Sequence, residues 1–286
     1  MITSAIVFAL LSLLFAGLND VVFKRYSSKD RSRGMIVFGI GVVWLLLQSL
    51  TIILDDGRFL PDTVTLGYGL TAGIILALSN ILLIEGLTQT DVSVGSTIYR
   101  LNTIGVVLLS VVFLQEPLGW LKMAGISSGV LAVLLLMHQS HAVEMGRMVT
   151  LYVWLVVLAS LLRAVYGVIS KVGLNQGADT DSMLLIAALC WVIGGALYAL
   201  LREGRFRLTR KKTAYALVSG LLVYLIVNFL LAAIARGEAS VVIPIANLSF
   251  IAALLISVVL GMERLSVKKL TAVLCAIGSI WLLALP

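Results

Sequence analysis

Apolar runs of about 20 residues recur from one end of this chain to the other, and few structures accommodate them. An α-helix rises 1.5 Å per residue, so ~20 apolar residues cross the ~30 Å hydrocarbon core of a bilayer. With 60% hydrophobic and only 12% charged residues, and a mean hydropathy of +1.10, the chain carries more apolar surface than a water-soluble core absorbs. A transmembrane β-barrel needs ~10-residue segments of alternating polarity, whereas these runs are continuous. The spacing predicts ten helices, near residues 3–22, 34–54, 64–86, 92–114, 118–138, 149–171, 182–201, 212–235, 239–260 and 267–285. Connectors as short as Thr88-Gln89-Thr90-Asp91 and Arg236-Gly237-Glu238 join antiparallel neighbours. The first run starts at Ile2 with no basic segment before it and no small-x-small cleavage pattern before Lys24, so it reads as a retained helix. Cys190 and Cys275 fall inside apolar runs and read as small hydrophobes.

The chain also repeats itself. Slid by 147 positions, Lys24 faces Lys171, Trp44 faces Trp191, Gly57-Arg58-Phe59 faces Gly204-Arg205-Phe206, Tyr68 faces Tyr215, Gly73 faces Gly220, Ser93 faces Ser240 and Glu116 faces Glu263, without a gap. Lipid does not select Trp, Lys or a Gly-Arg-Phe triplet, so one constant offset points to duplication of a five-helix unit, 1–139 and 148–286. Five is odd, so the second copy enters the membrane upside down relative to the first. Loop charges agree. Lys24, Arg25, Lys29, Arg31 and Arg33 follow the first helix, whereas the equivalent loop, Asn175 to Asp181, is acidic. The next loop reverses the bias: one basic residue around Asp55-Asp56-Gly57-Arg58, against Arg202, Arg205, Arg207, Arg210, Lys211 and Lys212 in its counterpart. The positive-inside rule then puts the loops after helices one, three, five, seven and nine in the cytoplasm of a cell (inner) membrane, with both termini outside. The net charge of +7 serves orientation on this reading, not nucleic-acid binding.

The segment Asp91-Val92-Ser93-Val94-Gly95 through Gln115-Glu116-Pro117-Leu118, with the Gly125 and Gly129 helix after it, resembles the EamA-type members of the drug/metabolite transporter superfamily. Glu238-Ala239-Ser240-Val241-Val242, Pro244, Gly261-Met262-Glu263-Arg264-Leu265 and the Gly278 helix resemble the same pattern in the second half. Arg100, where small or apolar residues and Pro are common, and Arg163 depart from it. The resemblance implies ten helices around a central cavity, alternating access, and carriage of small metabolites without a covalent cofactor.

Ionisable side chains inside spans are expensive and usually face a bundle interior. Arg100, about eight residues into the fourth helix, and Arg163 in the sixth are therefore the leading candidates for substrate contact. The competing reading of Arg100 is an ion pair with Glu85 that locks helices three and four. Asn80 and Asn228 fall one position apart in the repeat register, and Arg100 aligns with Asn247. With Asn102, Tyr99, Tyr166 and Tyr224 they make a candidate substrate-binding set, each weighed against plain interhelical bonding or packing. Pro244 removes a backbone donor early in helix nine. Glu116 and Glu263 read as caps at helix ends, with Lys122 and Lys269 as partners. Asp20 and Glu85 read as lying near cytoplasmic helix ends, which leaves no deep acid. Two arginines without one favour anions or zwitterions, whose carboxylate or phosphate guanidinium grips bidentately.

The function expected is secondary transport of a small polar metabolite, such as an amino acid or organic anion, with the lipid bilayer as surroundings and a monomer or homodimer as assembly. No cofactor is expected. A membrane-embedded enzyme is the rival class, but His138 and His141 in one loop form only a weak His-x-x-His metal pattern. A structural or signalling membrane protein gives no reason for paired polar residues in inverted copies. No Gly-rich Walker loop occurs, so ATP is not the expected energy source.

Overall fold

The computed structural model describes residues 2–27, 32–54, 59, 62–88, 98–137, 147–204, 209–261 and 266–285. All regular structure among them is helical: α1 (Ile2–Ser27), α2 (Arg33–Leu54), α3 (Thr63–Gly86), α4 (Asn102–Leu114), α5 (Trp120–Met137), α6 (Arg147–Asn175), α7 (Thr180–Leu201), α8 (Arg210–Arg236), α9 (Ala239–Asn247), α10 (Ser249–Val259) and α11 (Val267–Ala284). Eight spans among the described residues are long and apolar enough to cross a membrane, with α9 and α10 together making one of them. Ile98–Leu114 and Trp120–Leu135 are shorter apolar helices, and residues 92–97 of the expected fourth helix lie outside the described residues. Large side chains such as Ile53, Val112, Trp154 and Val259 point outward, as a lipid-facing surface requires.

Helix starts are capped in register with the repeat. Asp62 accepts from the Thr65 amide at 2.8 Å, and its counterpart 147 residues on, Thr209, accepts from the Lys212 amide at 3.4 Å. Ser32 and Asp179 form a second such pair, accepting from the amides of Met35 at 3.2 Å and Ser182 at 2.8 Å. These short polar side chains satisfy amides that the first turn leaves orphaned. At the end of α6 the chain turns at Gly177, whose φ of +88° suits glycine alone, and the Ala178 amide returns to the Gly173 carbonyl at 2.9 Å.

Apolar runs predict spans better than helix ends. α1 continues to Ser27 and α6 to Asn175, beyond the 22 and 171 expected, because polarity ends the hydrocarbon zone while only a cap or break ends a helix. Asp20 is thereby corrected from a helix end to a helix interior.

Close packing of small residues brings the two copies together. A Cβ on Gly34 would fall 2.6 Å from the Ala199 backbone nitrogen, and one on Gly195 would fall 2.4 Å from that of Phe38. Such contacts require bare glycine and run α2 antiparallel to its counterpart α7. α5 and its counterpart α11 also run antiparallel, with the Ser128 hydroxyl on the Cys275 carbonyl and the Ser279 hydroxyl on the Gly125 carbonyl, both at 2.7 Å. Trp44 meets Trp191 edge to face, with ring centroids 5.9 Å apart. The pairs Trp44/Trp191, Ser128/Cys275 and Arg100/Asn247 are each separated by 147 residues, so each residue touches its own repeat counterpart. These counterpart contacts lie where the two copies meet.

Both copies interrupt a helix at the same register. Leu101 and Leu248, 147 apart, are turns within otherwise helical segments. Each repeats one bonding pattern: Leu101 amide to Ile98 carbonyl and Ile104 amide to Leu101 carbonyl, matched by Leu248 to Ile245 and Ile251 to Leu248, all 3.0–3.1 Å. These are tighter three-residue turns, which free neighbouring groups from the regular ladder.

Candidate functional site at the paired helix breaks

Gly17 sets the approach of α1. A Cβ there would stand 2.5 Å from the Cβ of Ala252 and 2.8 Å from the Ser249 carbonyl, so α1 lies directly on α10. Less than one turn later, Asp20 faces the break.

Arg100, the residue before the Leu101 turn, reaches across to the Leu248 turn. Its Nη2 donates to Asp20 Oδ2 at 2.7 Å; its Nη1 donates to Ser249 Oγ at 2.9 Å and to the Asn247 carbonyl at 3.1 Å. The guanidinium carbon stands 5.3 Å from the Phe250 ring centroid. Ser249 also donates to Asp20 Oδ2, at 3.2 Å. Asn247 Nδ2 donates to Asn102 Oδ1 at 2.7 Å and Thr103 Oγ1 at 3.0 Å, while Asn102 donates to the Tyr99 carbonyl at 2.8 Å, taking up a carbonyl at the interruption. The Tyr99 hydroxyl lies 3.4 Å from Ser79 Oγ. A cavity of about 10 Å³, room for one water, opens here between Arg100, Thr103, Pro244 and Asn247 on one side and Gly129 and Ser279 on the other. Among the described residues the breaks are therefore closed around polar side chains, with room at this cavity for a water and not for a metabolite.

The competing reading, an ion pair between Arg100 and Glu85, does not hold. Glu85 instead accepts from the Tyr198 hydroxyl at 2.7 Å and from Arg202 at 2.8 and 3.0 Å, at the end of the bundle where α2 begins. Asp20 is the acid at Arg100, because α1 continues past it.

The remaining candidates separate into smaller groups. Asn228 donates to Gln48 Oε1 at 2.9 Å, Gln48 donates to Asp181 Oδ1 at 2.9 Å, and Tyr224 shares a 2.6 Å hydrogen bond with Thr51. Arg163 stacks over the Tyr166 ring at 5.2 Å and has no carboxylate partner among the described residues. Asn80 donates to the Leu76 carbonyl of its own helix at 2.8 Å. The nine candidates thus divide into Arg100, Asn102, Asn247 and Tyr99 at the breaks, Asn228 and Tyr224 around Gln48, the Arg163/Tyr166 pair, and Asn80 alone. Sequence reasoning missed Asp20, Ser249 and Thr103 at the breaks, and Gln48 in the second cluster. Gln48 carried a usable signal, as a lone amide inside an apolar run, and it is fully buried.

The acidic caps work between copies. Glu116 accepts from the amides of Ala239 and Ser240, both at 2.8 Å, so a carboxylate of the first copy holds the start of α9 in the second. Lys122, expected beside Glu116, pairs with Glu238 and donates to the Pro117 carbonyl at 2.7 Å. Lys171 closes the end of α8 on the Ile234 and Gly237 carbonyls at 2.6 and 2.9 Å. Asp91–Gly95, Glu263, His138 and His141 lie outside the described residues.

The family profile of the EamA-like transporter family matches residues 3–138 and, a second time, residues 150–285. The chain belongs to the EamA-like transporter family. It is accordingly a multi-pass membrane transporter of the drug/metabolite transporter superfamily, and EamA-like proteins are transporters, not enzymes. The fold is shared with a protein of known crystal structure, with a TM-score of 0.87, 13% sequence identity, and coverage of 98% of this chain and 96% of that one. No curated protein sequence matches the chain.

Proposed function

We propose that the protein is a secondary transporter that carries a small polar metabolite with a carboxylate or phosphate, such as an amino acid or organic anion, by alternating access between two inverted five-helix copies. The shorter apolar helices Ile98–Leu114 and Trp120–Leu135 bring the eight long spans to ten, and the basic loops face the cytoplasm with both termini outside. The antiparallel pairing of α2 with α7 and α5 with α11 supports inversion, since each pair consists of repeat counterparts. Discontinuous helices at matching positions of two repeats are where transporters of this kind build their sites.

The observation that carries the reading is Arg100, whose guanidinium bridges both breaks and holds an acid, Asp20, beside it. The guanidinium of Arg100 suits the carboxylate of an organic anion or of an amino acid, for which it would exchange its present partner Asp20. The Gln48, Asn228 and Asp181 cluster and the Arg163/Tyr166 pair lie on other helices of the bundle and supply further polar contacts to a solute in transit. The small volume at the breaks fits an occluded conformation that opens toward one side at a time.

Proteoliposomes loaded against a panel of radiolabelled amino acids and organic anions test the proposal. Saturable uptake is expected from the wild type, with at least a tenfold loss in Arg100→Ala. Uptake that survives undiminished in both Arg100→Ala and Arg163→Ala overturns the assignment.

A further inference from the structure

Asp20 and Arg100 are more than a neutral pair, because the same guanidinium is the group a substrate anion needs. We propose that Asp20 is the proton site that couples transport: the substrate's anionic group displaces Asp20 from Arg100, and the displaced carboxylate takes up one proton. This deepens the transport reading and rests on it. The exchange balances. Substrate anion plus the Arg100–Asp20 ion pair plus one proton gives a substrate–Arg100 pair and a neutral Asp20 carboxylic acid, with the proton bound to a carboxylate oxygen and no other bond made or broken. Release reverses each step, so a monoanionic group moves with one proton and no net charge.

Geometry supports each part. Asp20 Oδ2 holds Arg100 Nη2 at 2.7 Å and accepts from Ser249 at 3.2 Å, so one oxygen carries both contacts. When Arg100 turns to a substrate, Ser249 remains as a neutral partner for a neutral acid. The Asp20 side chain is 38% exposed and that of Arg100 20%, so the acid is the more open member of the pair. A carboxylate left without its cation in a membrane-embedded site is disfavoured against its protonated form.

Among the described side chains, the only ion pair shown for Asp20 is with Arg100. α9 and α10, which pack on α1, carry no ionisable side chain. On α8, Arg236 stacks over Phe8 near the other end of α1, Tyr224 is bonded to Thr51, and Arg210, Lys211, Lys212 and Tyr215 lie at the helix start, where Tyr215 meets Tyr26. α11 contributes Lys268 and Lys269 in its first turn and Cys275 against Ser128. On α1 itself Lys24 and Arg25 follow Asp20 by four and five residues, and the Lys24 side chain lies outside the described residues.

The test needs no substrate, since deleting the guanidinium imitates its loss to one. Infrared spectra of the detergent-purified full chain with ¹³C-labelled aspartate are compared at neutral pH for the wild type, Arg100→Ala and the Arg100→Ala/Asp20→Asn double variant. A protonated-carboxyl C=O band is expected in Arg100→Ala, absent from the wild type and removed in the double variant. Arg100→Gln keeps a long polar side chain without the charge, and gives the same band if Arg100→Ala does not fold. A folded Arg100→Ala or Arg100→Gln protein whose Asp20 still gives the ionised-carboxylate bands at neutral pH overturns the proposal. Failure here leaves the transporter reading standing, because a carrier driven by another gradient moves solute without this band. Loss of solute uptake by the wild type strikes that reading alone and leaves the infrared result in place.

Discussion

Arg100 makes contacts in several directions at once, and this sets what can replace it. A lysine carries the same charge on a single ammonium head, which cannot span Asp20, Ser249 and the Asn247 carbonyl together. Arg100→Lys is expected to lower uptake in proteoliposomes at least tenfold while the melting temperature moves by only a few degrees. Gly17 is the second decisive position, because it has no side chain to keep α1 from Ser249 and Ala252. Gly17→Leu is expected to destabilise the protein by about 1–3 kcal/mol in denaturant melts through overpacking, and to remove uptake by drawing Asp20 away from Arg100. Arg100 was legible from sequence as a charge inside an apolar run. Its partner was not, since Asp20 stands five residues before Lys24-Arg25 are passed and looks like part of a polar helix end. The continuation to Ser27 moves the helix end seven residues beyond it.

At the scale of elements, helix starts are fixed by short hydroxyl side chains and by carboxylates. Glu116 serves α9 from the other copy, and Glu116→Ala leaves two buried amides without an acceptor. A loss of about 1.5–3 kcal/mol is expected, measured as a lower midpoint of unfolding. The sequence identified Glu116 as a cap but could not say of which helix, since the contact joins residues 123 positions apart. Asp62 caps its own helix, and hydrogen bonds from the Thr65 side chain and backbone hold its carboxyl below the usual carboxylate range. Because the folded value is the lower one, the cap contributes fully above the ordinary aspartate pKa of about 3.9 and is lost as pH falls through the folded value. Asp62→Asn is expected to flatten this part of the acid limb in a pH series of thermal melts. The split of the ninth helix at Leu248 escaped hydropathy, because Ile245, Leu248 and Ile251 are as apolar as an unbroken helix would need. Its counterpart at Leu101 was equally hidden.

For the whole molecule, the repeat offset was the most legible feature, and the counterpart contacts follow the same number. The register could say which residues correspond but not which correspondents touch, since that depends on the glycines that let α2 approach α7. The proposed inversion makes a direct prediction about sidedness. Thr63 and Arg210 are exposed, start α3 and α8, and occupy equivalent positions 147 apart. With Cys190 and Cys275 replaced by alanine, Thr63→Cys is expected to react with an impermeant thiol reagent from outside intact cells, and Arg210→Cys only after the membrane is opened. Labelling of both from one side contradicts inversion.

The Trp44–Trp191 contact has a consequence for how such a molecule changes direction. Two chemically identical rings packed at 81° cannot play the same part: one offers its rim and the other its flat surface. In the alternating access proposed above, each conformation therefore gives one indole the rim and the other the face, so the two copies are unequal at their junction even where their residues are the same.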